Sequence, residues 1–288
     1  MQIVRFTSPL TSAAAVGIDD GEQVVELAGI TTVGELLRLS SDELKERCAS
    51  ADGPRHPSGS VALLPPVDGR MEVWAAGVTY RRSREARVLE SERAADVYEL
   101  VYDAERPELF FKSVAWKVSG DGGRISVRED SGIDVPEPEL GLVLNAGGEI
   151  VGYTVVDDVS SRTIEGVNPL YLPQAKIYLG ACAVGPGIRP AWEVADPYTL
   201  DITLTIARGG ETVWDGKAST SQLNRRLDDL AGYLYRADAF PDGAVLATGT
   251  CLVPDLPFTL QDGDTVTIGI SEIGTLTTSV VRGLDAMR

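Results

Sequence analysis

The sequence predicts a mainly β protein with inserted helices. It is an α+β fold in which a small N-terminal unit (residues 1–66) precedes a larger one (residues 67–288). Three observations carry this prediction. Short apolar segments recur between glycine-bearing turns at residues 120–123, 146–148, 208–210 and 262–263, as strands joined by tight connections require. Helical spacing of apolar residues is confined to a few stretches. A polar Gly/Pro/Ser run over residues 52–60, with Pro65-Pro66 shortly after it, reads as a linker.

Taken in order, residues 2–6, 14–18 and 23–27 read as short strands, with Asp19-Asp20-Gly21 as a turn. Residues 32–39 and 41–48 read as helices, each opened by a capping residue. The acids of Ser41-Asp42-Glu43 suit a helix N-terminus. His56 falls inside the expected linker and reads as an exposed loop residue. From Glu72 the chain restarts with the strand-like Val73-Trp74-Ala75-Ala76-Gly77-Val78. Residues 81–102 contain no Gly or Pro and read as a helix carrying Val88, Val97, Leu100 and Val101. Beyond it the chain is mostly strands. The one clear later helix is predicted over residues 223–236, where Leu227, Leu230 and Leu234 share a face.

The most informative segment is a predicted hairpin. Glu137 and Glu139, two apart on an extended chain, point to the same side. Residues 140–144 and 149–156 read as strands around Asn145-Ala146-Gly147-Gly148, with Ala146-Gly147 as a two-residue loop. If Asn145 pairs with Gly148, Glu139 lies opposite Thr154 and Glu137 opposite Val156. Asp158 then joins the glutamates on one face, within about 7–8 Å of Glu137 by backbone atoms. Three carboxylates on one side of a sheet repel unless something positive lies between them. By pattern alone this is either a site for a hard divalent cation or a solvated acidic face.

Composition narrows the chemistry. The chain has a single histidine, which excludes a His-rich zinc site and a serine–histidine triad. All-oxygen ligation favours Mg²⁺, Mn²⁺ or Ca²⁺. Acid–base work then falls to Lys, Glu, Asp, Tyr or metal-bound water. A net charge of −17 argues against nucleic acid or an anionic membrane as partner. Three scattered cysteines form no metal or redox motif, and no apolar run reaches the roughly 20 residues of a membrane span. A cytoplasmic location is expected.

Other candidates stand in short motifs. Lys176, alone, reads as a surface lysine; partly buried beside a metal, its pKa could fall enough to trade protons near neutrality. Glu108 and Lys112 flank the apolar Leu109-Phe110-Phe111 and read as strand-end charges. Gly249-Thr250 could offer a backbone N–H and a hydroxyl to an anion.

Together these motifs resemble the fumarylacetoacetate hydrolase family. The matching residues are Gly77-Val78-Thr79-Tyr80, Glu108-Leu109-Phe110-Phe111-Lys112, Glu137-x-Glu139-Leu140, Gly152 through Arg162, Gly249-Thr250 and Gly263-Asp264. The resemblance covers roughly residues 70–283, with residues 1–65 similar to the family's variable N-terminal domain. It implies a mixed β-roll catalytic domain binding Mg²⁺ through Glu137, Glu139 and Asp158, with the metal chelating a 2-oxo acid. Many family hydrolases carry a water-activating histidine three residues after the tyrosine of their Gly-x-Asn-Tyr motif; this chain has Ser83 there. That departure, with Asn168 through Lys176, resembles the 2-keto-3-deoxy-D-arabinonate dehydratase branch. The resemblance gives Glu108 and Lys176 the proton transfers, and Ser83, Lys112 and Thr250 contacts to substrate. It also implies a homodimer or homotetramer. The alternative on the same fold is a hydrolase or decarboxylase of acylpyruvate-type 2-oxo acids.

Overall fold

A computed structural model describes residues 1–80 and 100–288. An eleven-stranded sheet runs through it, built from β1 (Gln2–Thr7), β2 (Ala14–Asp19), β3 (Gln23–Glu26), β4 (Arg55–Pro57), β5 (Ala62–Leu64), β6 (Glu72–Gly77), β7 (Glu108–Val114), β10 (Pro138–Leu144), β11 (Ile150–Asp158), β13 (Cys182–Pro190) and β16 (Ala244–Thr250). Its order is β4-β3-β2-β1-β13-β11-β10-β16-β6-β7, with β5 added on β1. A five-stranded sheet, β15-β14-β17-β18-β8, comprises β8 (Arg124–Val127), β14 (Asp201–Arg208), β15 (Glu211–Ser219), β17 (Thr265–Ile270) and β18 (Gly274–Arg282). A short ladder of β9 (Asp134–Val135) and β12 (Ser160–Ser161) completes the set. This is the mainly β architecture with inserted helices that the sequence predicts.

The central strands are buried on both faces, and successive side chains alternate between two cores as the pleat demands. Leu140, Leu142 and Leu144 of β10, Val155 of β11 and Leu246 of β16 pack against Ile202, Leu204, Ile268 and Leu276 of the smaller sheet. The opposite face carries Val143, Val156, Val184 and Val245 against Leu36, Leu37, Leu44 and Cys48 of the N-terminal helices. Those helices are Val33–Leu36 and Ser41–Ala49, each closed by a reciprocal cap: Thr32 with Glu35, and Ser40 with Glu43. The predicted later helix is Leu227–Leu234, with all three of its leucines buried.

Two expectations are corrected. The stretch read as a linker contains β4, whose His56 pairs with Val24, is buried, and approaches Glu26 Oε1 through Nε2 at 2.9 Å. A ladder with β3 and an edge contact with Phe6 draw this turn-rich segment into the sheet. The hairpin's register is also shifted: Glu139 lies opposite Val156, and Leu144 opposite Ile150. Five residues, Asn145 to Glu149, separate the strands, with a bulge at Val151. The extra bulged residue restores the parity that an odd loop would lose, so the acids keep the predicted common face. Of the predicted helix over 81–102, residues 81–99 lie outside the described residues, and 100–103 are helical.

Candidate metal centre and active site

Glu137, Glu139 and Asp158 converge at the ends of β10 and β11. Their carboxylate oxygens lie within 4.8 Å of one another, and each residue is at most 2% exposed. Register explains the convergence: Asp158 N donates to Glu137 O at 3.0 Å, and the face carrying Val143 and Val156 carries the acids farther along. Gly249 N donates to Glu139 Oε2 at 2.7 Å. Gly249 has φ of +92°, a conformation glycine adopts without strain, and a side chain there would collide with Thr79 Oγ1.

Cations crowd the acids. Lys176, last residue of the helix Leu172–Lys176, places Nζ 2.9 Å from Glu137 Oε2, 2.8 Å from Asp158 Oδ2 and 2.6 Å from Ser160 Oγ. The sequence before it builds this position. Asn168 Oδ1 accepts from Leu170 N at 3.0 Å and starts a short turn, and Pro173 stands in the first turn of the following helix. Phe110 lies 5.7 Å beneath the ammonium, ring centroid to Nζ. Arg162 opens the helix Arg162–Val167, which is capped by Ser161 Oγ. Its Nη2 donates to Glu137 Oε1 at 2.7 Å. Burial, then the charges of Asp158 and Glu137, push the Glu139 carboxyl well above its ordinary range. Acids held this close and this deeply buried favour positive partners. An all-carboxylate set of this kind fits a hard divalent cation.

The cleft over the acids is lined by Glu108, Phe110, Glu165, Leu172, Gly249 and Thr250, together with Lys176 and the three acids. Glu108, Lys176, Thr250 and the predicted ligands are therefore brought together. Lys112 sits elsewhere: it is 1% exposed, outside the described cleft lining, and its ammonium is directed at Asp158 and two carbonyls. Ser83 lies outside the described residues. The sequence alone assigns no role to Arg162 or Glu165. The available signal was a capping Ser161 followed by charges at helical i, i+3 spacing, which put both on one helix face.

Fold and site define a metal-dependent enzyme, with a buried group of carboxylates that could hold a hard cation. The chain belongs to the fumarylacetoacetate hydrolase family: the model of the fumarylacetoacetate (FAA) hydrolase C-terminal domain matches residues 72–281. A probable 2-keto-3-deoxyxylonate dehydratase of Haloferax volcanii is 53% identical over 215 residues, 75% of this chain and 73% of its own length. The 2-dehydro-3-deoxy-D-arabinonate dehydratase of Saccharolobus solfataricus is 46% identical over 227 residues, 76% of this chain and 74% of its own length. A solved 2-keto-3-deoxy-D-arabinonate dehydratase complexed with magnesium and 2,5-dioxopentanoate superposes with a TM-score of 0.85 at 37% identity, covering 98% of this chain and 99% of that one. The apo form of that dehydratase gives a TM-score of 0.86, covering 99% of this chain and 100% of that one.

Proposed function

We propose that the protein is a Mg²⁺-dependent dehydratase of a 2-keto-3-deoxy sugar acid, of the 2-keto-3-deoxy-D-arabinonate type, giving 2,5-dioxopentanoate. The observation that carries this is the buried Lys176 ammonium, in contact with two predicted ligands and facing the same cleft as Glu108. Two proton-transfer groups beside a cation site suit an elimination, which needs one base and one acid. The relatives' activity and the magnesium in the related structure support the same reading.

Held by Glu137, Glu139 and Asp158, Mg²⁺ would act as a Lewis acid on the substrate's 2-oxo group and acidify the C3 protons. Lys176 and Glu108 between them remove a C3 proton and deliver one to the departing C4 hydroxyl. The C3–H and C4–O bonds break, a C3=C4 bond forms, and water leaves. A proton shift from C5 to C3, followed by ketonisation of the resulting enol, places the aldehyde at C5. Thr250, at the cleft wall, and Ser83 are proposed to contact the substrate. Phe110 and Leu172 exclude water on their side of the cleft.

No described helix is long and apolar enough to cross a membrane. A cytoplasmic location is part of the proposal, supported by relatives that act on sugar acids. So is a homodimer or homotetramer, for which the exposed Trp116 and Leu170 offer apolar surface; sedimentation velocity tests it.

The decisive experiment incubates the protein with Mg²⁺ and a panel of 2-oxo acids and reads the products by mass. From 2-keto-3-deoxy-D-arabinonate, one carbonyl product of equal carbon count and lighter by one water is expected. Two fragments with uptake of water would mean a hydrolase, and loss of carbon dioxide a decarboxylase.

A further inference from the structure

Lys112 stands in the middle of β7 with its whole side chain inside the protein, a costly place for an ammonium unless it is fully paired. Its ammonium, with three N–H donors, makes two hydrogen bonds and one ion pair. Nζ donates to Val159 O at 3.0 Å, to Lys176 O at 2.7 Å, and contacts Asp158 Oδ1. Lys176 meanwhile holds the other oxygen of the same carboxylate, Oδ2, at 2.8 Å. Asp158 is thus clamped between two ammonium groups. The inner one is also bonded to the main chain that carries the outer one.

We propose that Lys112 is a positioning residue that fixes Asp158 for cation binding and the Lys176 main chain for proton transfer, rather than a substrate contact. This inference rests on the proposed metal site and acid–base pair. The geometry supports it twice over. Lys112 is absent from the described cleft lining, and its ammonium is turned to Asp158 and two main-chain carbonyls. Its partners come from three places in the sequence: the end of β11, the residue after it, and the C-terminus of the helix bearing Lys176. One side chain therefore sets the distance between a metal ligand and an acid–base group. Metal ligands depend on such outer partners for their orientation, and loss of one typically costs about 10–100-fold in affinity or activity.

The test compares full-length wild type with Lys112→Met, which keeps the stem and removes the charge, and Lys112→Gln, which keeps a donor. Mg²⁺ binding is measured by calorimetry without substrate, and kcat and KM at saturating Mg²⁺. In Lys112→Met, Mg²⁺ affinity should fall about 10-fold or more and kcat at least about 10-fold. KM should change less than about 3-fold, because no substrate contact is lost. Lys112→Gln should lie between the two in both quantities, and it stands in if Lys112→Met does not fold. A raised KM with unchanged kcat and Mg²⁺ affinity would make Lys112 a substrate contact and overturn the proposal. So would tighter Mg²⁺ binding, the signature of a competing cation, or a lowered Tm with both constants intact, the signature of a purely structural lysine. Because Mg²⁺ binding is read without substrate, failure of the dehydratase assignment would leave that half of the test standing.

Discussion

Gly77 lies directly opposite Glu108 in the β6–β7 ladder, and Glu108 Oε2 occupies the space a Cβ at position 77 would fill. The glycine is thus a notch through which the carboxylate crosses the neighbouring strand toward the cleft. Gly77→Ala should displace Glu108 while leaving the acids of β10 and β11 in place. The expected outcome is a kcat reduced about 10²-fold, close to that of Glu108→Ala, with Mg²⁺ affinity unchanged by calorimetry. Wild-type kcat in Gly77→Ala would show that the carboxylate reaches its working position by another route.

Lys176→Ala and Glu108→Ala should each lower kcat by about 10²–10⁴-fold. Glu139→Ala, by contrast, should lose metal and activity together. Steady-state kinetics alongside metal binding distinguish the two patterns. Full activity in Lys176→Ala would remove the acid–base assignment.

Chelation should abolish turnover, and Mg²⁺ or Mn²⁺ should restore it. A cation bound only by the folded state also stabilises that state, by about 2.7 kcal/mol at a 100-fold excess over Kd. Tm should therefore rise with Mg²⁺ concentration in wild type and stay flat in Glu139→Ala. A wild-type Tm that ignores Mg²⁺ would argue against the carboxylates as its site.

Asp134, fully buried in β9, has its carboxyl pushed up from 3.8 to about 6, chiefly by burial. The native state then keeps this proton up to about pH 6, whereas the unfolded chain releases it near pH 4. Between those values the unfolded state binds fewer protons, so this group makes stability fall as pH rises. Asp134→Asn lacks that loss. The Tm of the variant minus that of wild type should increase from pH 4 to pH 6 and level off above. A flat difference would mean that Asp134 is ionised in the folded protein throughout that range.

The acid cluster was legible because side-chain direction on a strand has period two, so Glu137, Glu139 and Asp158 could be placed on one face without the exact register. The register itself is off by two residues, one from the longer loop and one from the bulge, which nothing in Ile150-Val151-Gly152 announces in advance. His56 was misplaced because turn-forming composition outweighed three residues of ladder, whose bonds belong to the partner strand β3 and not to the local sequence. Lys112 was out of reach for a related reason. Two of its partners are main-chain carbonyls of Val159 and Lys176, and a carbonyl carries no residue-specific mark. Arg162 had a visible helix cap behind it, but only the fold shows that its guanidinium turns inward to Glu137.

The bulge at Val151 also constrains how this hairpin can change length. The odd loop and the bulge each reverse the facing of the residues beyond them, and their effects cancel. Deleting one loop residue while the bulge persists would turn Asp158 toward the opposite core and take it out of the acid cluster. Insertions and deletions here are therefore tolerated in pairs, or singly only when the bulge appears or vanishes with them. Homologous hairpins of different length should keep the same parity from the second glutamate to the aspartate once the bulge is counted.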